Sequence, residues 1–593
     1  MERKDISTAY KWDLEAIYPT EEAWQADYKK LEDLVSAPVE AYKGKLGDKA
    51  TLLAYFKESA QVERLLEKLY MYAHMRHDED VRVAKNTSAV SMLMSLAAKL
   101  SAKYAFVEPE LTALPEETLQ AFIADPDFAA QEYMLRRTAA GKAHVLSSEE
   151  EKLLALASDV LGGFRNVFTM LDNANLNLPK AMLGGEEVQM SHGLYGVALH
   201  SGTAEERKVW FEKYYQAYIN LIDAITQTYY GNVKKDIFYS TARKYNSCLE
   251  RALSNEDVQP VVYNNLIEAV HNAFPVMHEY MSLRQEILGI EQHMYDIYAP
   301  LVEDAEIKLP FDEAYELVIE GLAPLGKGYE ALLRKAKEER WIDVYENEGK
   351  RSGAYSTGSY DTHPYVLLNY QETTNDIFTI AHEMGHAIHT YQSSDEQVYE
   401  KSSYTIFLAE IASTANEVLL LKHLYKKTND KKLKKYLLTY YMDMIRATMF
   451  RQTQFAEFEQ KAHALVESGQ PLTKDNLCQL YYDLNKAYYG EGIVHDEQIA
   501  YEWARIPHFY TSFYVYKYAT GIISAISIVR SILEEGEPAL QRYFKFLRSG
   551  GKTDPVSILK EAGVDLTTKA PFEAAMQEFK DTLEEFKKLT EEK

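Results

Sequence analysis

The run Ile380-Ala381-His382-Glu383-Met384-Gly385-His386-Ala387-Ile388-His389 decides how the rest of the chain is read. Two histidines stand four apart, with a glutamate directly after the first. Four residues is just over one helical turn, so on a helix His382 and His386 project from the same face. Two imidazoles so placed can hold one Zn²⁺, while Glu383, about 100° further round, reaches a water on the metal rather than the metal itself. Metal-assisted hydrolysis needs this set: two neutral nitrogen donors, an adjacent base and an open coordination position. The plainer alternative is a solvated helix whose histidines bind nothing. The preceding Asn375–Ala381 run, with Thr374 or Asn375 as cap, predicts a helix at the right place.

A catalytic zinc site takes three protein ligands plus water. His389 shares the face, but three ligands from one straight helix cannot surround an ion, because the next turn sits too far along the axis. It is expected to be a wall residue. Glu396 and Glu400 lie in or beside a polar stretch, Ser393–Gln397, that reads as loop. Glu410 is the better candidate. It falls in the helical run Tyr404–Leu420 between Ala409, Ile411 and Ala412, where a carboxylate is costly unless a charge compensates it. Glu417, on the same face, is either a hydrogen-bond partner of a ligand histidine or a surface carboxylate.

With Glu410 following 24 residues after His386 in Ala-Glu-Ile-Ala-Ser-Thr, the chain resembles the thimet-oligopeptidase-like zinc metallopeptidases, in particular their oligoendopeptidase F branch. Tyr10-Lys-Trp-Asp-Leu-Glu, Arg351-Ser-Gly-Ala-Tyr and Gly550-Gly551 carry the likeness through most of the chain. The resemblance implies a mostly α, multi-helix zincin-type fold with a small β element beside the zinc helix and a deep channel that admits oligopeptides and excludes folded proteins. It also implies one Zn²⁺ per chain on His382, His386 and Glu410, with Glu383 as general base.

The segment Lys350–Tyr370 reads as a glycine-rich loop followed by a short strand, Tyr365–Tyr370, whose exposed edge would pair with an extended substrate. Near the end, His508 precedes Tyr510, Tyr514, Tyr516 and Tyr518. Read alone this is an aromatic core helix. The resemblance implies that His508 and a following tyrosine touch substrate, where neutral donors stabilise an oxyanion. Tyr514 and Tyr516 are favoured over Tyr510 and Tyr518.

Most of residues 1–190 have apolar spacing of three and four, as in Leu52–His74 and Ala89–Phe106, and so predict helix. Helices are also expected over residues 203–290 and 312–339. Ser148–Glu151 and Thr203–Glu206 read as capping boxes, and Gly184-Gly185 as the turn of a β-hairpin. A boundary near residue 195 would separate an N-terminal helical region (1–195) from a catalytic domain (196–593). A net charge of −25 argues against nucleic acid or an anionic membrane as partner. Two cysteines, Cys248 and Cys478, give no disulfide framework, the N-terminus lacks a secretory apolar core, and the late apolar run Tyr518–Leu533 is too short to span a bilayer. A cytoplasmic protein is expected.

The expected activity is endopeptidase cleavage of oligopeptides. Two alternatives stand beside it. A zinc carboxypeptidase on a similar scaffold would need a cation for the free carboxylate, and Arg351 and Arg505 are available. A non-catalytic binding protein with structural zinc would need a fourth protein ligand, often cysteine, and neither cysteine lies near the motif.

Overall fold

The computed structural model describes residues 2–302 and 305–591. Helices dominate it, joined by two small sheets. Packing divides the chain into two compact units, neither continuous in sequence. The first takes Met1–Val145, Glu306–Leu424 and Ile528–Gly563; the second takes Leu146–Ala305, Tyr425–Ser527 and Val564–Lys593. Residue 195, where a boundary was expected, lies inside the second unit, in helix His192–Ser201.

The first unit has this composition because its N-terminal helices share one core with residues far downstream. Trp12, Leu31, Leu69 and Leu93 pack in the same apolar cluster as Tyr365 and Leu367. Backbone bonds fasten the opening stretch to the same place: Asp13 N–H donates to Arg340 O at 2.9 Å and Val344 N–H to Tyr10 O at 3.0 Å. Helix Lys49–Glu79 covers the expected Leu52–His74, and helix Ala84–Tyr104 covers the expected Ala89–Phe106 except for its last two residues. Among the described residues, one stretch, Ala84–Ala113, is long and apolar enough to cross a membrane. Its Leu93, Leu96 and Leu100 belong to the core cluster just described.

In the second unit the hairpin forms as expected. Strands β1 (Lys180–Leu183) and β2 (Glu186–Gln189) pair antiparallel around Gly184 and Gly185, both with positive φ, which glycine adopts without strain. The capping box at Thr203–Glu206 is present. The other sits one residue earlier than expected: Ser147 pairs with Glu150, while Glu151 instead binds Arg243 at 2.7 Å.

The sheet of the first unit is three-stranded, in the order β3 (Ile342–Asp343), β5 (Tyr365–Leu367), β4 (Tyr355–Thr357). β5 is fully buried and paired on both sides, parallel to β3 and antiparallel to β4. This corrects the expectation that Tyr365–Tyr370 offers an exposed edge. The edge strands are β3 and β4, and β4 lies inside the segment read as loop.

Candidate metal centre

The motif lies on helix Thr374–Glu396. Its cap is Thr373, one residue before those expected, in a reciprocal box with Asp376. The helix does not stop at the polar Ser393–Gln397 run but continues to Glu396, and Glu400 falls in the short helix Tyr399–Ser402. Burial explains the extension. Ser393 is inaccessible and donates to Ser402 O, so its hydroxyl is satisfied without a loop. Gly550, at φ 51°, passes so close to Lys401 O that no side chain would fit there.

Glu410 arrives on the next long helix, Ile406–Lys427. Gly385 permits the approach: a Cβ there would stand 2.5 Å from Ser413 Cα and 2.8 Å from Ala412 O. Asn416 Nδ2 then ties the two helices by donating to Ala381 O at 3.0 Å. The result brings His382 Nε2 within 3.1 Å of His386 Nε2 and 3.5 Å of Glu410 Oε2, and His386 Nε2 within 3.9 Å of the same oxygen. Ligands about 2.1 Å from a tetrahedral ion stand about 3.4 Å apart, so these three atoms fit one zinc.

Three further groups surround them. His382 Nδ1 lies 2.6 Å from Glu417 Oε1, which leaves Nε2 turned toward the other two donors. Burial lowers the His382 pKa, but the bond to Glu417 and its charge raise it to about 9. Glu383 is 7% exposed and its Oε2 has no hydrogen-bond partner. Burial pushes its carboxyl up to about 7, with His382 opposing and Glu410 and Glu417 adding to the rise. A buried carboxyl with an unpartnered oxygen and a raised pKa, beside three converging ligand atoms, is the kind of perturbed group that clusters at functional sites. His389 is packed in the wall, stacked 3.7 Å from Tyr404 and 5.0 Å from Phe546.

The C-terminal candidates lie in the second unit. His508 is exposed on a short 3₁₀ turn, Pro507–Tyr510, and its ring neighbours are Tyr514 at 6.2 Å and Tyr518 at 6.0 Å. Tyr514 and Tyr518 are themselves 5.5 Å apart. Tyr516 faces the other way: it is 1% exposed and packs on Tyr263 at 5.2 Å. Tyr518, set aside in the sequence, therefore accompanies His508 and Tyr514. Phe513 holds the segment in place at φ 59°, its N–H donated at 3.0 Å to the buried Glu459 Oε1. Asn232 Nδ2 donates to Phe509 O at 3.1 Å, and Ser512 Oγ to Asp236 Oδ2 at 2.6 Å.

A His-Glu-x-x-His helix joined by a glutamate from the next long helix, within a mostly helical chain, defines a metallopeptidase. Comparison with known proteins agrees. Residues 197–578 match peptidase family M3, and residues 110–177 match the family described as Oligopeptidase F. Oligopeptidase PepF of Bacillus subtilis is 41% identical, over 99% of this chain and 88% of that protein. An oligoendopeptidase F homolog of Lactococcus lactis is 39% identical over 99% and 98%. The solved oligoendopeptidase-F of Enterococcus faecium superimposes with a TM-score of 0.75 at 32% identity, covering 97% of this chain and 100% of its own. The chain belongs to peptidase family M3 and is a metalloendopeptidase.

Proposed function

We propose that this chain is a zinc endopeptidase that cuts internal bonds of oligopeptides, with His382, His386 and Glu410 as the metal ligands and Glu383 as general base. The single observation that carries the reading is the convergence of three donor atoms at 3.1–3.9 Å beside an unsatisfied buried carboxyl. Zinc held there would supply Lewis acidity to the scissile carbonyl and acidity to a water. Glu383, with its pKa near 7, accepts the proton of the attacking water and returns it to the leaving amine. Glu417 fixes the His382 tautomer so that Nε2 keeps its lone pair for the metal. His508 and Tyr514 donate to the developing oxyanion, and Tyr518 supports them; the burial of Tyr516 favours a core role for it. The oligopeptide preference is supported by the names of the relatives. A cytoplasmic location is supported by two free cysteines, Cys248 and Cys478.

Cleavage of a short internally quenched peptide by the zinc-loaded protein tests the reading. Two fragments from an internal bond are expected. Release of the C-terminal residue alone would favour the carboxypeptidase, for which Arg351 is poorly placed because it pairs with Asp78.

A further inference from the structure

In a chain of net charge −25, the second unit gathers arginines at one place. Helix Lys431–Ile445 continues through a π turn, Arg446–Phe450, into helix Arg451–Glu467. Side chains five apart diverge by about 140° on an α-helix. The wider π turn brings Arg446 and Arg451 closer in direction, and such insertions recur at functional sites. Arg505 joins them from the 3₁₀ segment Glu497–Arg505, immediately before His508.

Aromatic rings hold each guanidinium. Arg446 lies 5.0 Å over Tyr298, Arg451 4.5 Å over Phe455, and Arg505 5.7 Å over Tyr195. Carboxylates are fewer. Glu502 Oε1 serves both Arg451 at 2.6 Å and Arg505 at 2.8 Å, while its other oxygen takes the Tyr481 hydroxyl. Asp443 serves Arg446 at 2.9 Å and also Arg284 at 3.7 Å. Four guanidiniums thus share two carboxylates among the described residues. Arg446 is 2% exposed, and its Nη1 has no hydrogen-bond partner. A buried guanidinium N–H left unpaired is costly, and an incoming anion would satisfy it. The Tyr298 hydroxyl registers the surplus: burial pushes its pKa up, yet Arg451 and Arg446 bring it below the ordinary tyrosine value. Arg451 and Arg505 side chains remain 18% exposed, so solvent reaches the cluster. Arg505 closes the segment that leads directly into the Pro507–Tyr510 turn carrying His508, and the Arg451 charge adds to burial in lowering the His508 pKa.

We propose that Arg446, Arg451 and Arg505, with the Tyr298 hydroxyl, form a subsite for a carboxylate of the peptide substrate. Planar guanidiniums pre-organised by ring stacking match a carboxylate in paired hydrogen bonds. The proposal rests on the peptidase reading above and names what that enzyme recognises.

The test uses the zinc-loaded full chain and three quenched peptides of one sequence: a free acid, its C-terminal amide, and an amide ending in Glu. The wild type is expected to show a KM for the free acid about tenfold or more below that for the amide. A low KM only for the free acid assigns the C-terminal carboxylate; a low KM for the Glu amide as well assigns any terminal carboxylate. Arg446→Gln is expected to shrink the acid-to-amide ratio to about threefold or less, with Arg446→Lys keeping part of it. Should Arg446→Gln lower the Tm sharply, Tyr298→Phe, which changes no cationic charge, is expected to reduce the ratio about threefold. Equal KM for acid and amide in the wild type overturns the subsite while leaving the endopeptidase intact. Failure to cut any of the three peptides overturns the endopeptidase reading, and the subsite with it.

Discussion

Glu417 Oε1 stands 2.6 Å from His382 Nδ1, on the side of the imidazole opposite the atom that faces His386 and Glu410. The carboxylate accepts a hydrogen bond from Nδ1–H, which favours the tautomer with its proton on Nδ1 and orients the ring plane. Losing such a partner costs about 10–100-fold in metal affinity. Glu417→Ala is therefore expected to weaken zinc binding by about that factor in chelator competition. Unchanged affinity would remove Glu417 from the site.

Gly385 acts through space rather than chemistry. Its missing side chain lets Ser413 Cα and Ala412 O come to where a Cβ would sit. Gly385→Ala is expected to force the Glu410 helix outward, lowering stability by about 1–3 kcal/mol, as overpacking does. Zinc affinity should fall at least about tenfold through the displaced carboxylate. Thermal denaturation and metal titration check the two effects; a variant with both unchanged would mean that the helices have room to spare.

The tyrosines after His508 separate by exposure. Removing one oxyanion donor costs about 10²–10³ in kcat at well-formed sites, so Tyr514→Phe is expected to cost at least about tenfold. Tyr516→Phe, in the core against Tyr263, should stay within about twofold in kcat. The reverse order would restore Tyr516 as the donor.

Glu457 sets an acid limit on the second unit. Burial raises its pKa, but bonds from His271, Lys461 and Tyr488 outweigh this and hold it at about 2, against an ordinary 4.5. A depressed carboxylate contributes stability that is complete above about 4.5 and disappears as pH falls toward 2. The Tm of the wild type should drop through this window, and Glu457→Gln should show a shallower drop from a lower starting value. Parallel curves for the two proteins would contradict the assignment.

The metal motif was legible because its information is local: spacing within one turn places both imidazoles and the base. Glu410 was legible because an acid among Ala409, Ile411 and Ala412 demands a counter-charge. The caps slipped by one residue where neighbours were chemically equivalent, Thr373 beside Thr374 and Ser147 beside Ser148. Features set by distant segments were not readable. Ser393 is helical because the Tyr399–Ser402 turn covers it, and β5 is central because β3 and β4 flank it. Residues 1–145 pack with 306–424 through Trp12, Leu69 and Tyr365, a pairing that no composition change marks. Tyr516 opens its helix, so periodicity could not tell its face from that of Tyr514 or Tyr518.

The central claim is that Glu383 moves the proton while His382, His386 and Glu410 hold the metal. Glu383→Gln keeps the shape and removes the base. Measured together, zinc content and cleavage of an internally quenched peptide decide it. One zinc per chain with kcat lowered by about 10²-fold or more is the predicted result. A variant that holds zinc and cuts at the wild-type rate would contradict the account.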